Sequence, residues 1–175
     1  MNGYIGLVTD NTDPNRSMFT ARFTRFNGPS DNDTMHLGAN VWNDNSKFLN
    51  TVIEDSIIYS PYVPSAGDHA DVIQFGGGRN SAFRRVVISM RNQAFDSALT
   101  NYLNNGTQNT GVVFDSLWIE GGPMGFVLGG PMAINNCILA RSTAHYGYIY
   151  PDGDGNTAND PRLSNCVDDA GTVIK

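Results

Sequence analysis

His69 and Asp71 stand two residues apart in the run Asp68-His69-Ala70-Asp71-Val72-Ile73. On an extended segment that spacing sends both side chains to one side. A carboxylate beside an imidazole can orient the ring and poise it for proton transfer. The same pair equally suits a turn, where the carboxylate caps backbone amides ahead of a strand. A second candidate set is Glu54-Asp55, Arg84-Arg85 and Asp115-Ser116, whose members recur 30 and 31 residues apart. Brought together, acids and arginines can contact an acidic sugar. They can also form a cross-strand charge ladder that does no more than fix register.

Metal chemistry finds little support. His36, His69 and His145 are the three histidines, and no His-x-x-x-His or Cys-x-x-Cys occurs, so no zinc site is expected. Asp152, Asp154, Asn156 and Asp160 have a faint calcium-loop spacing. The sixth position is Thr157 rather than glycine, and the twelfth is Leu163 rather than an acid, which reads as a solvated turn. No cofactor or metal is expected. Cys137 and Cys166 are the two cysteines, and we expect them reduced and packed inward as small apolar groups.

The elements that must position these residues come from two recurring cassettes. The first has the form apolar-x-x-small/apolar-x-apolar. It appears as Ile53-Glu54-Asp55-Ser56-Ile57-Ile58, Phe83-Arg84-Arg85-Val86-Val87-Ile88, Phe114-Asp115-Ser116-Leu117-Trp118-Ile119 and Ile134-Asn135-Asn136-Cys137-Ile138-Leu139, with weaker copies opening at Met18 and Leu163. The starts are separated by 35, 30, 31, 20 and 29 residues. Such periods mark stacked repeats with connections of unequal length. A second, shorter strand cassette lies between the copies. It covers Met35–Gly38, Ile73–Gly77, Phe126–Gly130 and Tyr148–Tyr150, with Tyr4–Leu7 at the start and Asn101–Asn104 as a poor filler of the remaining gap. Both cassettes are rich in Val, Ile, Phe and Tyr, as strands are. No dozen-residue window carries sustained helical spacing. Residues 91–104 come closest, as a short helical insertion or an ordered loop.

The expected fold is therefore all-β: a solenoid of about six coils with loop insertions, one domain over 1–175 with its core coils at about 15–168. Stacking puts Ile53, Phe83, Phe114, Ile134 and Leu163 in one core ladder and Ser56, Val86, Leu117, Cys137 and Cys166 in a second. Coils about 4.8 Å apart would make a prism roughly 29 Å long. The fifth cassette position, Ile57, Val87, Trp118, Ile138 and Val167, then faces away from the core. An apolar stripe of that size calls for a cover, either the segment 89–110 or a second subunit.

Composition narrows the rest. The chain has 175 residues and a net charge of −6. It carries only Lys47 and Lys175 as lysines, and its arginines form no long run. No nucleic-acid partner is expected. No 18-residue apolar stretch is present, so no membrane insertion is expected. The start has no basic segment followed by an apolar block, so it does not read as a signal peptide. That is compatible with a mature form or an excised fragment, and Met1 is followed almost at once by strand-like residues with no obvious capping element, which is unexpected for a complete solenoid.

The segment from Asp68 through Gly76-Gly77-Gly78-Arg79-Asn80, followed by Phe83–Ile88, resembles the right-handed parallel β-helix superfamily. That group holds pectate-lyase-like proteins and many bacteriophage tail spikes and virion proteins. The resemblance implies a structural virion component: a tail spike, minor tail protein or capsid surface protein, located in the virion. Its partners would be other virion proteins and a host cell-surface glycan. Such phage proteins are usually homotrimers, which would place Ile57, Val87, Trp118, Ile138 and Val167 at an interface. The alternative it implies is a secreted carbohydrate-active enzyme, a polysaccharide lyase or glycoside hydrolase acting on an acidic polysaccharide. Its catalytic candidates would be Arg84, Arg85, Asp115, Asp71 and His69.

Overall fold

The computed structural model describes residues 5–7, 19–28, 34–37, 48–60, 71–75, 78–90, 97–101, 110–122, 124–128, 132–140, 149–150 and 162–174. Among these residues the fold is all strand and turn, with no helix.

The chain alternates between two parallel sheets. The smaller holds β1 (Ile5–Leu7), β4 (Met35–Leu37), β7 (Ile73–Phe75), β9 (Ser97–Asn101), β11 (Met124–Leu128) and β14 (Ile149–Tyr150), side by side in that order. The larger is visited six times. The passes are β2 (Phe19–Arg22) with β3 (Arg25–Asn27), β5 (Phe48–Leu49) with β6 (Thr51–Ser60), and β8 (Gly78–Met90). They continue with β10 (Thr110–Glu120), β12 (Ala133–Asn135) with β13 (Ile138–Leu139), and β15 (Leu163–Ser164) with β16 (Val167–Asp168). Each pass lies parallel to the one before it. A parallel neighbour needs a crossover rather than a hairpin, which is why the other sheet intervenes each time.

Register follows the cassette. Ile53 pairs with Phe83, Phe83 with Phe114, Phe114 with Ile134 and Ile134 with Leu163. The first four are fully buried. The Phe83 and Phe114 rings stack with centroids 4.7 Å apart and planes at 17°. Burying side chains of this size contributes about 1.5–3 kcal/mol each, and an aromatic pair adds about 0.5–1.5 kcal/mol.

The cassette's odd spacing, three residues and then two, has a backbone cause. In every pass one residue adopts the left-handed conformation: Phe23 (φ 50°), Asp55 (49°), Arg85 (53°), Ser116 (58°), Asn136 (54°) and Asn165 (54°). Strand side chains otherwise alternate between faces. One left-handed residue, as in a β-bulge, inserts an extra position and bends the strand. Ile53 points inward before the corner, and Ser56 and Ile58 point inward after it. A second left-handed column, Asn50 (49°), Asn80 (50°) and Gly111 (66°), precedes the first.

Corners interrupt the hydrogen-bond ladder, and serine repairs it. Ser56 follows Asp55; its hydroxyl donates to the Glu54 carbonyl at 2.6 Å and accepts from the Thr24 amide at 3.2 Å. Ser81 follows Asn80 and does the same with the Arg79 carbonyl and the Thr51 amide, both at 3.0 Å. Left unsatisfied, such buried backbone groups would cost about 1–3 kcal/mol each. Beyond β10, Gly121 turns with φ 74°, and a Cβ there would run into the Met90 carbonyl oxygen.

The chain end folds back on the sixth pass. Val173 bridges Val167 in antiparallel fashion, the Ile174 amide donates to the Cys166 carbonyl at 2.9 Å, and Ile174 is buried. Asp168 shapes this turn by accepting from the Ala170 and Thr172 amides at 2.9 and 2.8 Å.

Three sequence expectations need correction. The first copy of the cassette opens at Ala21, which pairs with Ile53, not at Met18. Phe23 is the left-handed corner of that pass and is 83% exposed, while Phe26 takes the inward place opposite Ile58. The gap in the smaller sheet is filled by Ser97–Asn101, not by Asn101–Asn104 or a helical insertion, because Leu99 is the residue that lines up with Ile73 and Phe126. Cys137 and Cys166 form a disulfide instead of remaining as thiols.

Candidate functional site

The outer face around the main corner gathers most of the candidate residues into three columns. Before the corner stand Arg22, Glu54, Arg84, Asp115, Asn135 and Ser164, paired in register from pass to pass. At the corner stand Phe23, Asp55, Arg85, Ser116, Asn136 and Asn165. After it stand Arg25, Ile57, Val87, Trp118, Ile138 and Val167. Parallel strands lie about 4.8 Å apart, so an arginine directly above or below a carboxylate reaches it without strain.

Glu54 is the hub of the first column. Its carboxylate is nearly buried and takes Arg22 Nε at 2.8 Å on one oxygen and an Arg84 guanidinium nitrogen at 2.9 Å on the other. Arg85 stands 3.8 Å from the oxygen that takes Arg22 and binds Asp55 through Nε at 2.6 Å and a terminal nitrogen at 2.9 Å. This two-point fork is the geometry that guanidinium and carboxylate favour. The Arg84 hydrogen bond, with the charges of Arg22, Arg84 and Arg85, holds the Glu54 carboxyl below its ordinary range against the opposing effect of burial. The Arg85 hydrogen bond does the same for Asp55, and Asp55 in turn raises Arg85. Higher up the ladder is amide-based: Asn136 donates to Asp115 at 2.8 Å and Asn165 donates to Asn136 at 3.2 Å.

The third column differs. Ile57 is 40% exposed and Trp118 38%, with Val87, Ile138 and Val167 half-buried. The Trp118 indole donates to Glu120 at 3.0 Å. Arg25 begins the column. It lies 5.3 Å from the centre of the Tyr59 ring and donates to Asn27 at 2.7 Å.

Arg84, Arg85 and Asp115 thus share one face. Asp71 does not join them: it precedes β7 in the smaller sheet and is 1% exposed. His69 lies outside the described residues, as do His145, the calcium-like run 152–160 and most of the covering segment 89–110; of His36 only the backbone, in β4, is described. Among the described residues no three metal-ligating side chains cluster. The corner column itself escaped the sequence reading. Its signal is there in Asp55, Asn136 and Asn165, residue types that tolerate the left-handed region, but Phe23 and Arg85 mask it.

No family model matches the chain, and no curated protein or solved structure matches it.

Proposed function

We propose that the two sheets are faces of one right-handed parallel β-helix of six coils, and that it serves as a structural module of a virion: a tail spike, minor tail or capsid surface protein. Crossover connections between parallel strands of one sheet are right-handed as a rule, which supports the handedness. The module is a homotrimer, joined along the column of Ile57, Val87, Trp118, Ile138 and Val167. Its loops face outward, toward other virion proteins or a host surface glycan.

One observation carries this reading. The two arginines that would serve an enzyme are engaged with carboxylates, Arg84 with Glu54 and Arg85 with Asp55. The apolar column beside them leaves Ile57 and Trp118 exposed and Val87, Ile138 and Val167 half-buried. A face with satisfied polar groups and a partly exposed apolar stripe suits association better than turnover. Three-fold closure covers the stripe on every copy and leaves no open end for further growth.

The test has two arms. Light scattering at micromolar concentration is expected to give three times the chain mass, and a monomer would sink the trimer. Long incubation with polygalacturonate, with and without calcium, is expected to release no unsaturated or reducing ends. Turnover abolished by Arg84→Ala or Asp115→Ala would replace this reading with the enzyme.

A further inference from the structure

The sixth pass is the least secured part of the larger sheet. It meets the fifth pass at four register positions, Ile134 with Leu163, Asn135 with Ser164, Ile138 with Val167 and Leu139 with Asp168. The long strands β8 and β10 meet at nine. Leu163, its contribution to the core ladder, is only half-buried. Yet the capping turn is built on this pass through Val167, Asp168 and the Cys166 carbonyl. Between the two thin stretches of pairing sits the Cys137–Cys166 disulfide, which joins adjacent passes at the same cassette position across 29 residues of chain. Both residues are buried, at 0% and 1% exposure.

We infer that this disulfide is a redox-controlled latch on the sixth pass and its cap. In the oxidised state it pins Leu163–Ile174 against β12 and β13. Opening takes two electrons from a dithiol. One thiolate of the dithiol attacks a sulfur of the pair and forms a mixed disulfide, and the other cysteine leaves as a thiolate that takes up a proton. The second thiol of the reagent then attacks the mixed disulfide. It releases the remaining cysteine as a thiol and departs as a cyclic disulfide. Because both sulfurs are enclosed, attack waits on a local opening of this same pass. The latch therefore stays shut in an oxidising setting and yields slowly elsewhere. Once open, the sixth pass keeps its four register positions and the packing of Leu163 and Ile174 on the core but loses the covalent tie, and when it lifts, β12 and β13 become the outer edge of the sheet.

The experiment uses the intact chain prepared without reductant. Thiol titration in denaturant is expected to find no free thiol before reduction and two after it; free thiols beforehand would overturn the inference. Amide hydrogen exchange is then followed with and without dithiothreitol. Closing a loop of this length restrains the open chain enough that reduction should speed exchange over 162–174 by about two orders of magnitude. Exchange in β6, β8 and β10 should not change, and reoxidation should restore protection. The double variant Cys137→Ser/Cys166→Ser should show the same local exchange with no reagent present. Unchanged protection over 162–174 would reduce the bond to a passive staple. Loss of protection throughout the sheet would make it a global support. Either result rejects a local latch.

Discussion

The polar column before the corner and the apolar column after it lie on the same strands, yet they solve opposite problems. Arg22, Glu54, Arg84 and Asp115 find partners one pass above or below, or at the corner beside them. Ile57, Val87, Trp118, Ile138 and Val167 also stack on one another, but stacking along a column cannot remove its outer side from water. Pairwise polar interactions can close within a single sheet face because they are directional and short-ranged. Apolar burial needs a second surface, because its driving force scales with area removed from water. A parallel stack thus sorts its outer positions into columns whose polar groups pair with one another and a column that stays partly exposed. The left-handed corner is the boundary between them.

The largest expected effect lies beneath both columns. Phe114→Asp puts a charge between Phe83 and Ile134, where nothing can pair with it, and should abolish soluble folding. Recovery of folded, soluble variant, by circular dichroism and gel filtration, would mean that the two columns do not share this core.

Next comes the apolar column. If the proposed trimer forms along it, Trp118→Glu, which places a charge at its middle, should give monomer or aggregate while the monomer's β-type far-UV spectrum persists. A variant that remains trimeric by light scattering would free the column from any interfacial role.

The polar column should register in pH. The folded carboxyls of Glu54 and Asp55 are lowered relative to the unfolded chain. Their contribution is therefore present above the unfolded carboxylate range and lost as pH falls through the folded values. Denaturant midpoints should decline as pH drops below about 4. Glu54→Gln should flatten that decline and lower the midpoint at neutral pH, because three arginines then face an uncharged amide. An identical pH profile in variant and wild type would show that this hub contributes nothing to stability.

The smallest effect is expected at Asn135→Asp. Its side chain lies on the outer face, half-buried between Asp115 and Ser164 in register. A change there should stay within about 0.5 kcal/mol. A shift several times larger in chemical denaturation would mean that the upper, amide part of the column is as tightly organised as the lower, ionic part.

Much of this arrangement was legible in the residues because one sheet repeats one rule. Large apolar residues at cassette positions one and six can only face inward, so aligning Ile53, Phe83, Phe114, Ile134 and Leu163 also aligned the outer columns. The rule failed where composition was ambiguous. Met18, Phe19, Ala21, Phe23 and Phe26 offer several apolar phases, and only the backbone reveals that Phe23 is the corner. Ser97–Asn101 was missed because one large apolar residue, Leu99, is too little to show alternation. The cysteine pairing was missed for a different reason: stacked inward positions suit two thiols as well as a disulfide, so spacing cannot tell them apart. At the candidate site, the meeting of Arg84, Arg85 and Asp115 followed from the register. The burial of Asp71 and the hub geometry of Glu54 did not, since both depend on how neighbouring passes fill space.

The unequal return lengths have a practical consequence. Phe83 and Phe114 are 31 residues apart and Phe114 and Ile134 only 20, yet both pairs meet in the same register. Loop closure entropy separates these two lengths by only about 0.4 kcal/mol. The stack is thus nearly indifferent to how much chain travels between its passes, provided each return delivers a corner and its flanking inward residues in phase. Foreign peptide inserted in a connection should therefore cost the stack little, and epitopes grafted on successive returns would be displayed at a spacing set by the sheet rather than by the graft.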